Sequence, residues 1–338
     1  MCIALFLVSL LVSTAEGGRD AGLVTQSKGT TEPYYASPLE LKAYWQSVFP
    51  NTPMPSSILD HLSAPSGNVM KDMEKEHHWS VYSDWLTKGD AKIFHNWAHR
   101  IASEKLLYPE TIFTAGSKIN LYIDRAVALH SPYLRHDIAD SIPMSTKNFT
   151  DIAMMFAPVS LSMARDMWST LSSCEHPREV AGEQKACTTS LESMQGFSAL
   201  ALGTNDLRAF STSLDVPEEG ISSPSQRYEV AAVRAITAKA AANTVTCHSM
   251  SFPVALFYCH AVNPTRIYEV TLQREDGVVI PEPTAPAMVR ALAVCHVNTS
   301  GFDPTLRYWV KLGLKPGEAS VCHFLTRGDV LWAPASAT

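Results

Sequence analysis

Cys-His occurs four times in this chain, at 247–248, 259–260, 295–296 and 322–323, and no other feature limits the fold so strongly. With 7 cysteines and 12 histidines in 338 residues, chance supplies fewer than one such dipeptide. The first two bracket the stretch CHSMSFPVALFYCH, in which PVALFYC reads as a strand. Successive side chains on a strand point to opposite faces, so a Cys-His dipeptide sends sulfur one way and imidazole the other. Sulfurs can then cross-link on one face of a sheet while histidines converge on the opposite face. Cys247 and Cys259 are twelve residues apart, a spacing that a regular hairpin connection can close.

Three readings of this pattern compete. Among the four Cys-His pairs the CxxC or HxxxH spacing of a mixed Cys/His zinc site is absent, and thiols in an oxidising compartment pair rather than bind zinc. In a second reading the cysteines form disulfides and the histidines are ordinary hydrogen-bonded residues. The third, which the pattern favours, is an imidazole-lined metal site made by His248, His260, His296 and His323. Nitrogen-only ligation suits copper(II), which also heads the divalent affinity order. Serine, histidine and aspartate are plentiful, but no GxSxG elbow marks a nucleophile. No glycine-rich phosphate loop is present either.

The compartment matters to that choice. Residues 3–12 form an apolar run followed by small residues at Ser13 and Ala15, which reads as a secretory signal peptide spanning residues 1–17. The run is too short to span a bilayer, and no later stretch is long enough. Cleavage removes Cys2 and leaves six cysteines: Cys174, Cys187, Cys247, Cys259, Cys295 and Cys322. An even number in a secreted chain favours disulfides. Cys174 and Cys187 lie in a loop-rich stretch between two helices and are expected to pair; the other four are left unassigned. Asn148-Phe-Thr and Asn298-Thr-Ser become candidate glycan acceptors. A net charge of −6 without a Lys/Arg cluster argues against a nucleic-acid partner.

Residues 18–110 alternate turn-prone patches with short aromatic-rich pieces such as HHWSVYSDW (77–85) and read as a variable leader. A compact domain follows over 111–335. Its helices come first. Leu161, Ala164, Met167 or Trp168, and Leu171 recur at helical spacing. A second helix has a capping box at Thr189-Ser-Leu-Glu192, a buried stripe of Leu191, Met194, Phe197 and Leu200, and a terminating Gly203. After residue 225, RYEVAAV (227–233), RIYEVTL (266–272), RYWVKL (307–312) and DVLWA (329–333) read as strands. Helices followed by strands imply an α+β domain with an antiparallel sheet.

The spacing of the dipeptides, with ten residues between the first two and twenty-five between the last two, resembles the repeated CH pattern of the plant BURP domain. Supporting segments are ADSIPMS (139–145), the Cys174 and Cys187 pair, CTTSLESM (187–194), FPVALFYCH (252–260), KPGEASVCHFL (315–325) and the closing DVLW (329–332). Upstream, YWQSVFPNTPMP (44–55) is similar to a segment that often follows the signal peptide in that family. The chain departs from the pattern in two places. Ile112-Phe113 stands where Phe-Phe is usual, and the middle gap is 34 residues, lengthened around VIPEPTAPAM (279–288). The prolines of that insertion suggest a protruding loop.

The resemblance implies a plant protein of the secretory pathway, in the apoplast, cell wall or vacuole, with a developmental or stress-related role. It implies copper as cofactor and the CH histidines as its ligands. Some members are copper-dependent peptide cyclases that cross-link Trp or Tyr side chains of a core peptide. In this chain HHWSVYSDW is the candidate core, with Trp79, Tyr82 and Trp85 as the cross-linking residues. Partners are then cell-wall polymers or a peptide substrate. The leader holds no repeated core, which favours the non-catalytic role.

Overall fold

Alternating side chains build two antiparallel sheets whose inner faces meet around the Cys-His strands. The computed structural model describes residues 34–62, 107–121, 131–175, 180, 182–212, 226–237, 241–274 and 288–337. One sheet runs β1 (Tyr108–Pro109), β10 (Val321–Phe324), β9 (Met288–His296), β8 (Thr265–Arg274), β5 (Gln226–Ala235) and β2 (Lys118–Leu121). The other runs β3 (Gln184–Thr188), β7 (Phe257–Ala261), β6 (Val245–Ser249), β11 (Val330–Pro334) and β4 (Leu207–Phe210). Helices concentrate before residue 203, so the α+β class read from the sequence is the one adopted.

Strand parity sorts the core into layers. Odd residues of β6 and β7 (Val245, Cys247, Phe257, Cys259, Ala261) pack outward with Val330 and Trp332 of β11. That outer face is covered by α1 (Pro38–Val48), which inserts Leu41 and Trp45, and by Leu191 and Met194 of a later helix. On the six-stranded sheet, Val289, Ala291, Ala293 and Cys295 of β9 pack outward with Cys322, Val270 and Leu272. Between the sheets lie Ile267, Leu292, Val294, Leu325 and Leu331. The sandwich centre is therefore apolar at one end, and the histidines continue the same faces at the other.

Part of what the sequence reads as leader is folded into this core. Ser37 caps α1 with a reciprocal capping box: Ser37 Oγ accepts from the Glu40 N–H at 3.2 Å and Glu40 accepts from the Ser37 N–H at 2.8 Å. Pro38 at the first helical position is already set for the helix. The Trp45 ring lies 4.6 Å from Phe49 and 6.0 Å from Trp332, so the segment docks on β11 through aromatic contacts. A short helix, α2 (Ser56–Leu59), follows and buries Ile58. The helices α3 (His136–Ala139), α4 (Phe149–Met155) and α5 (Leu161–Glu175) then form a cluster with Phe252, Val254 and Leu256.

Four local expectations are corrected. RYWVKL is a helix, α7 (Arg307–Leu312), not a strand. Tyr308 and Trp309 are buried on one side of it while Val310 on the other is 75% exposed. Gly313 ends it in the left-handed region at φ 67°. In α6 (Leu191–Leu202) the cap is one residue later than expected, Ser190 with Ser193. Leu200 of its supposed stripe is 82% exposed, because the packed face runs through Leu191, Met194 and Ser198 to Ala201 and Leu202. PVALFYC is a strand only from Phe257; Val254 and Leu256, with Phe252 just before them, instead pack into the α4–α5 cluster. The signal-peptide reading and most of the proline-rich insertion lie outside the described residues. Among the described residues no helix is long and apolar enough to cross a membrane.

Candidate functional site

The split between sulfur and imidazole follows from strand register. In the β6–β7 pair Cys247 stands directly opposite Cys259, and in β9–β10 Cys295 stands directly opposite Cys322. Both pairs are bonded as disulfides, with Cα atoms 3.9 and 4.0 Å apart. The residue after each cysteine faces the other way, into the space between the sheets. His248 opposes Tyr258 and His260 opposes Thr246, so the two imidazoles meet diagonally across the ladder. The same diagonal arises from His296 opposite Val321 and His323 opposite Val294.

The two diagonals face each other. Ring centroids run 5.2 Å from His248 to His260, 5.8 Å to His296, 5.5 Å to His323 and 5.3 Å back to His248. Sequence separation spans 75 residues, yet the four rings form one closed quadrilateral. Within each hairpin the Nε2 atoms approach, to 3.2 Å for His248–His260 and 3.4 Å for His296–His323. Tyr258 lies beside His260 at 5.9 Å and Phe302 beside His296 at 5.9 Å, giving the cluster aromatic flanks. The His248 side chain keeps 30% of its surface exposed and His260 keeps 13%, whereas His296 is buried.

Every Nδ1 is aimed at an acceptor. His248 Nδ1 lies 3.2 Å from Asp329 and His260 Nδ1 lies 3.1 Å from Glu183. His296 Nδ1 is 3.1 Å from the Val262 carbonyl and His323 Nδ1 is 3.3 Å from the Phe324 carbonyl. An acceptor at Nδ1 fixes the proton there, which leaves a lone pair on Nε2. In neutral rings these lone pairs face each other in twos, an arrangement that repels unless positive charge lies between them.

The surroundings favour a proton on His248 and disfavour one on the other three rings. Burial works against charge on His248, but the Asp329 carboxylate beside it wins and holds the ring above its ordinary value. Burial lowers His260, with Glu183 opposing and a charged His248 reinforcing the shift. His296 is pushed down to about 4 by burial and the neighbouring His260. Burial and the surrounding rings also hold His323 well below the usual range. The Tyr258 hydroxyl is pushed up to about 12 by burial and then by Glu183, so it stays a neutral phenol.

The donor set fits a nitrogen-preferring metal. Imidazole nitrogens about 2.0 Å from one ion stand about 3.3 Å apart at a tetrahedral angle, close to both Nε2 separations. Acceptors behind each Nδ1 are the usual partners of metal-ligating histidines. The nitrogens meet in two pairs rather than as a closed four. Among the described residues no three His, Cys, Asp or Glu donors are gathered tightly enough to enclose an ion. Binding a single ion to all four therefore requires the pairs to close on it.

Asp329 and Glu183 are the residues that sequence reasoning missed. Asp329 stands at the head of the quoted DVLW segment, and Glu183 just precedes β3. Neither has a spacing that links it to a histidine, because the link depends on the strand order β3-β7-β6-β11. Among the other sequence candidates, Cys174 at the end of α5 is bonded to Cys187 on β3. Asn298 is exposed after β9, its Oδ1 accepting from Ser300. Asn148 is half-buried and donates to the Pro143 carbonyl at 3.4 Å. Trp79, Tyr82 and Trp85 lie outside the described residues.

Comparison with known proteins matches the strand and dipeptide frame. The BURP domain family model covers residues 106–334. BURP domain-containing protein 11 of Oryza sativa is 40% identical over 237 residues, 65% of this chain and 72% of the rice protein. BURP domain-containing protein 8 of the same species is 34% identical over 299 residues, 88% of this chain and 83% of its own length. BURP domain protein RD22 of Arabidopsis thaliana is 35% identical over 201 residues, 59% of this chain and 47% of RD22. The domain match takes in all four Cys-His pairs and both sheets, and on that ground the chain belongs to the BURP-domain family of plant proteins.

Proposed function

We propose that this chain is a secreted plant protein that binds copper through His248, His260, His296 and His323, in a cell-wall, developmental or stress-related role. The observation that carries this reading is the set of four Nδ1 atoms all engaged by acceptors, which turns the Nε2 lone pairs towards one another in two pairs. Imidazole-only ligation suits copper(II). The four neighbouring sulfurs do not compete for it, since they are bonded in disulfides on the opposite faces of the strands. Three disulfides support an oxidising compartment, and the apolar run over residues 3–12 supports entry into the secretory pathway. The apoplast, cell wall or vacuole follows from family kinship alone.

The test is copper content of the dialysed, disulfide-intact protein from a secreting host. Wild type is expected to retain copper, and His260→Ala and His296→Ala to lose it. One copper per chain means that the pairs close on a single ion, and two means one ion per hairpin. Equal retention by wild type and both variants overturns the reading and leaves the histidines as hydrogen-bonding residues.

A second reading is a copper-dependent cyclase that cross-links Trp or Tyr side chains of a core peptide, with HHWSVYSDW as candidate. The 30% exposure of His248 favours it, since a peptide can reach that corner from solvent. Bound copper would supply one-electron oxidation with O2 as the terminal oxidant. The protein would hold the ion with its imidazoles and border the peptide with Tyr258 and Phe302. Mass spectrometry after exposure to copper and oxygen decides it: hydrogen loss confined to the peptide spanning 77–85 supports catalysis, and unchanged mass in every peptide rejects self-cyclisation.

A further inference from the structure

The four imidazoles are alike in sequence but not in what stands behind them. Both histidines of the β6–β7 hairpin are backed by carboxylates, Asp329 at 3.2 Å and Glu183 at 3.1 Å. Both histidines of the β9–β10 hairpin are backed by neutral main-chain carbonyls, of Val262 and Phe324. Sheet order produces the difference. In β3-β7-β6-β11, each strand of the hairpin has one outer neighbour, and the residue that precedes that neighbour supplies the carboxylate. Asp329 precedes β11 and reaches His248 on β6; Glu183 precedes β3 and reaches His260 on β7.

Both carboxylates are fixed independently of the rings. Asp329 is 2% exposed and accepts from the backbone N–H of Ser249 at 3.1 Å and of Thr326 at 2.8 Å. Glu183 accepts from Lys185 Nζ at 2.9 Å, and its side chain is 6% exposed. Cys187, two residues beyond Lys185, is tied to α5 by its disulfide, which holds the strand that follows Glu183 in place. A buried anion behind an imidazole both orients the ring and increases electron donation from its other nitrogen. A neutral carbonyl orients without adding charge.

We infer that Asp329 and Glu183 are positioning residues that make the site unequal, with the His248–His260 half the stronger holder of a divalent ion. The inference rests on the copper reading above. Removing either negative charge weakens copper(II) more than copper(I), because the carboxylate's interaction grows with the charge on the metal. Asp329 acts more strongly than Glu183, whose charge is shared with Lys185.

The test uses the full, disulfide-intact chain titrated with copper(II) against a competing chelator, and with copper(I) under anaerobic reduction. Asp329→Asn and Glu183→Gln are each expected to lower copper(II) affinity about 10- to 100-fold. Copper(I) affinity should fall less, so the reduction potential rises, and the copper(II) electron paramagnetic resonance spectrum should change. His248→Ala and His260→Ala should cost more copper(II) affinity than His296→Ala and His323→Ala. That ranking does not depend on either carboxylate variant folding. If wild type retains no copper, or no histidine change affects it, the copper reading itself has failed. If wild type and the histidine variants behave as a copper site should, two results overturn the inference alone. One is that a folded carboxylate variant keeps wild-type affinity, potential and spectrum. The other is that the two histidine pairs rank equally.

Discussion

At each Cys-His dipeptide the two side chains do unrelated jobs, so replacing them separates two properties. His260 and His296 point between the sheets, where their loss removes a donor nitrogen. Cys259 and Cys295 point into apolar clusters and each closes a disulfide. Cys259→Ser or Cys295→Ser is expected to cost about 2–5 kcal/mol, a large share of a domain's stability, and to reduce secretion. His260→Ala and His296→Ala should secrete and unfold nearly as wild type while losing copper. Thermal unfolding in the presence of chelator checks the contrast; equal destabilisation by both kinds of change would contradict it. This division was legible in the sequence, since strand parity alone sends adjacent side chains to opposite faces. The acceptors behind the rings were not, because Asp329 lies 81 residues from His248 and becomes its neighbour only through sheet order.

Among the elements, β1 and the turn after it are held less by strand length than by one carboxylate. Glu110 accepts from Arg266 Nη1 and Tyr268 Oη on β8 at 2.6 Å each, and from Ser320 Oγ beside β10 at 2.7 Å. Burial alone would raise Glu110, but these three donors outweigh it and hold the carboxyl below 4.5. A carboxylate lowered in the folded state contributes stability above its unfolded value, and that contribution is lost as pH falls through the folded one. Glu110→Gln should therefore be less stable than wild type at neutral pH, with the gap narrowing below pH 4.5. Urea unfolding of both proteins at several pH values measures it, and a gap independent of pH would refute the assignment. The strands of β5, β8 and β11 were readable from β-branched and aromatic residues. RYWVKL misled because its composition is equally strand-like. What separates it from a strand is the helical stop at Gly313, whose N–H closes back on the Trp309 and Val310 carbonyls, together with the docking of Tyr308 and Trp309 in their own apolar cluster.

On the scale of the whole molecule, residues 34–62 belong to the folded body. Trp45 and Phe49 complete an aromatic group with Trp332, and Asp60 accepts from Arg327 at 3.0 and 3.2 Å. Arg327 sits in the turn that delivers Asp329, so the N-terminal segment braces the strand and the turn bordering the histidines. Trp45→Ala removes a buried indole and should cost about 3–5 kcal/mol, read by chemical denaturation. A cost below ~1 kcal/mol would mean that the segment is dispensable. The irregular, turn-rich composition of this region hid its role, because its partners are strands some 270 residues away. All these layers converge on one claim, that four imidazoles between two disulfide-backed hairpins form a metal site. X-ray absorption at the copper edge of the secreted, disulfide-intact protein tests that claim most directly. The account predicts retained copper with an imidazole nitrogen shell and no sulfur shell. Copper that washes out on dialysis, or a copper–sulfur shell, would contradict it.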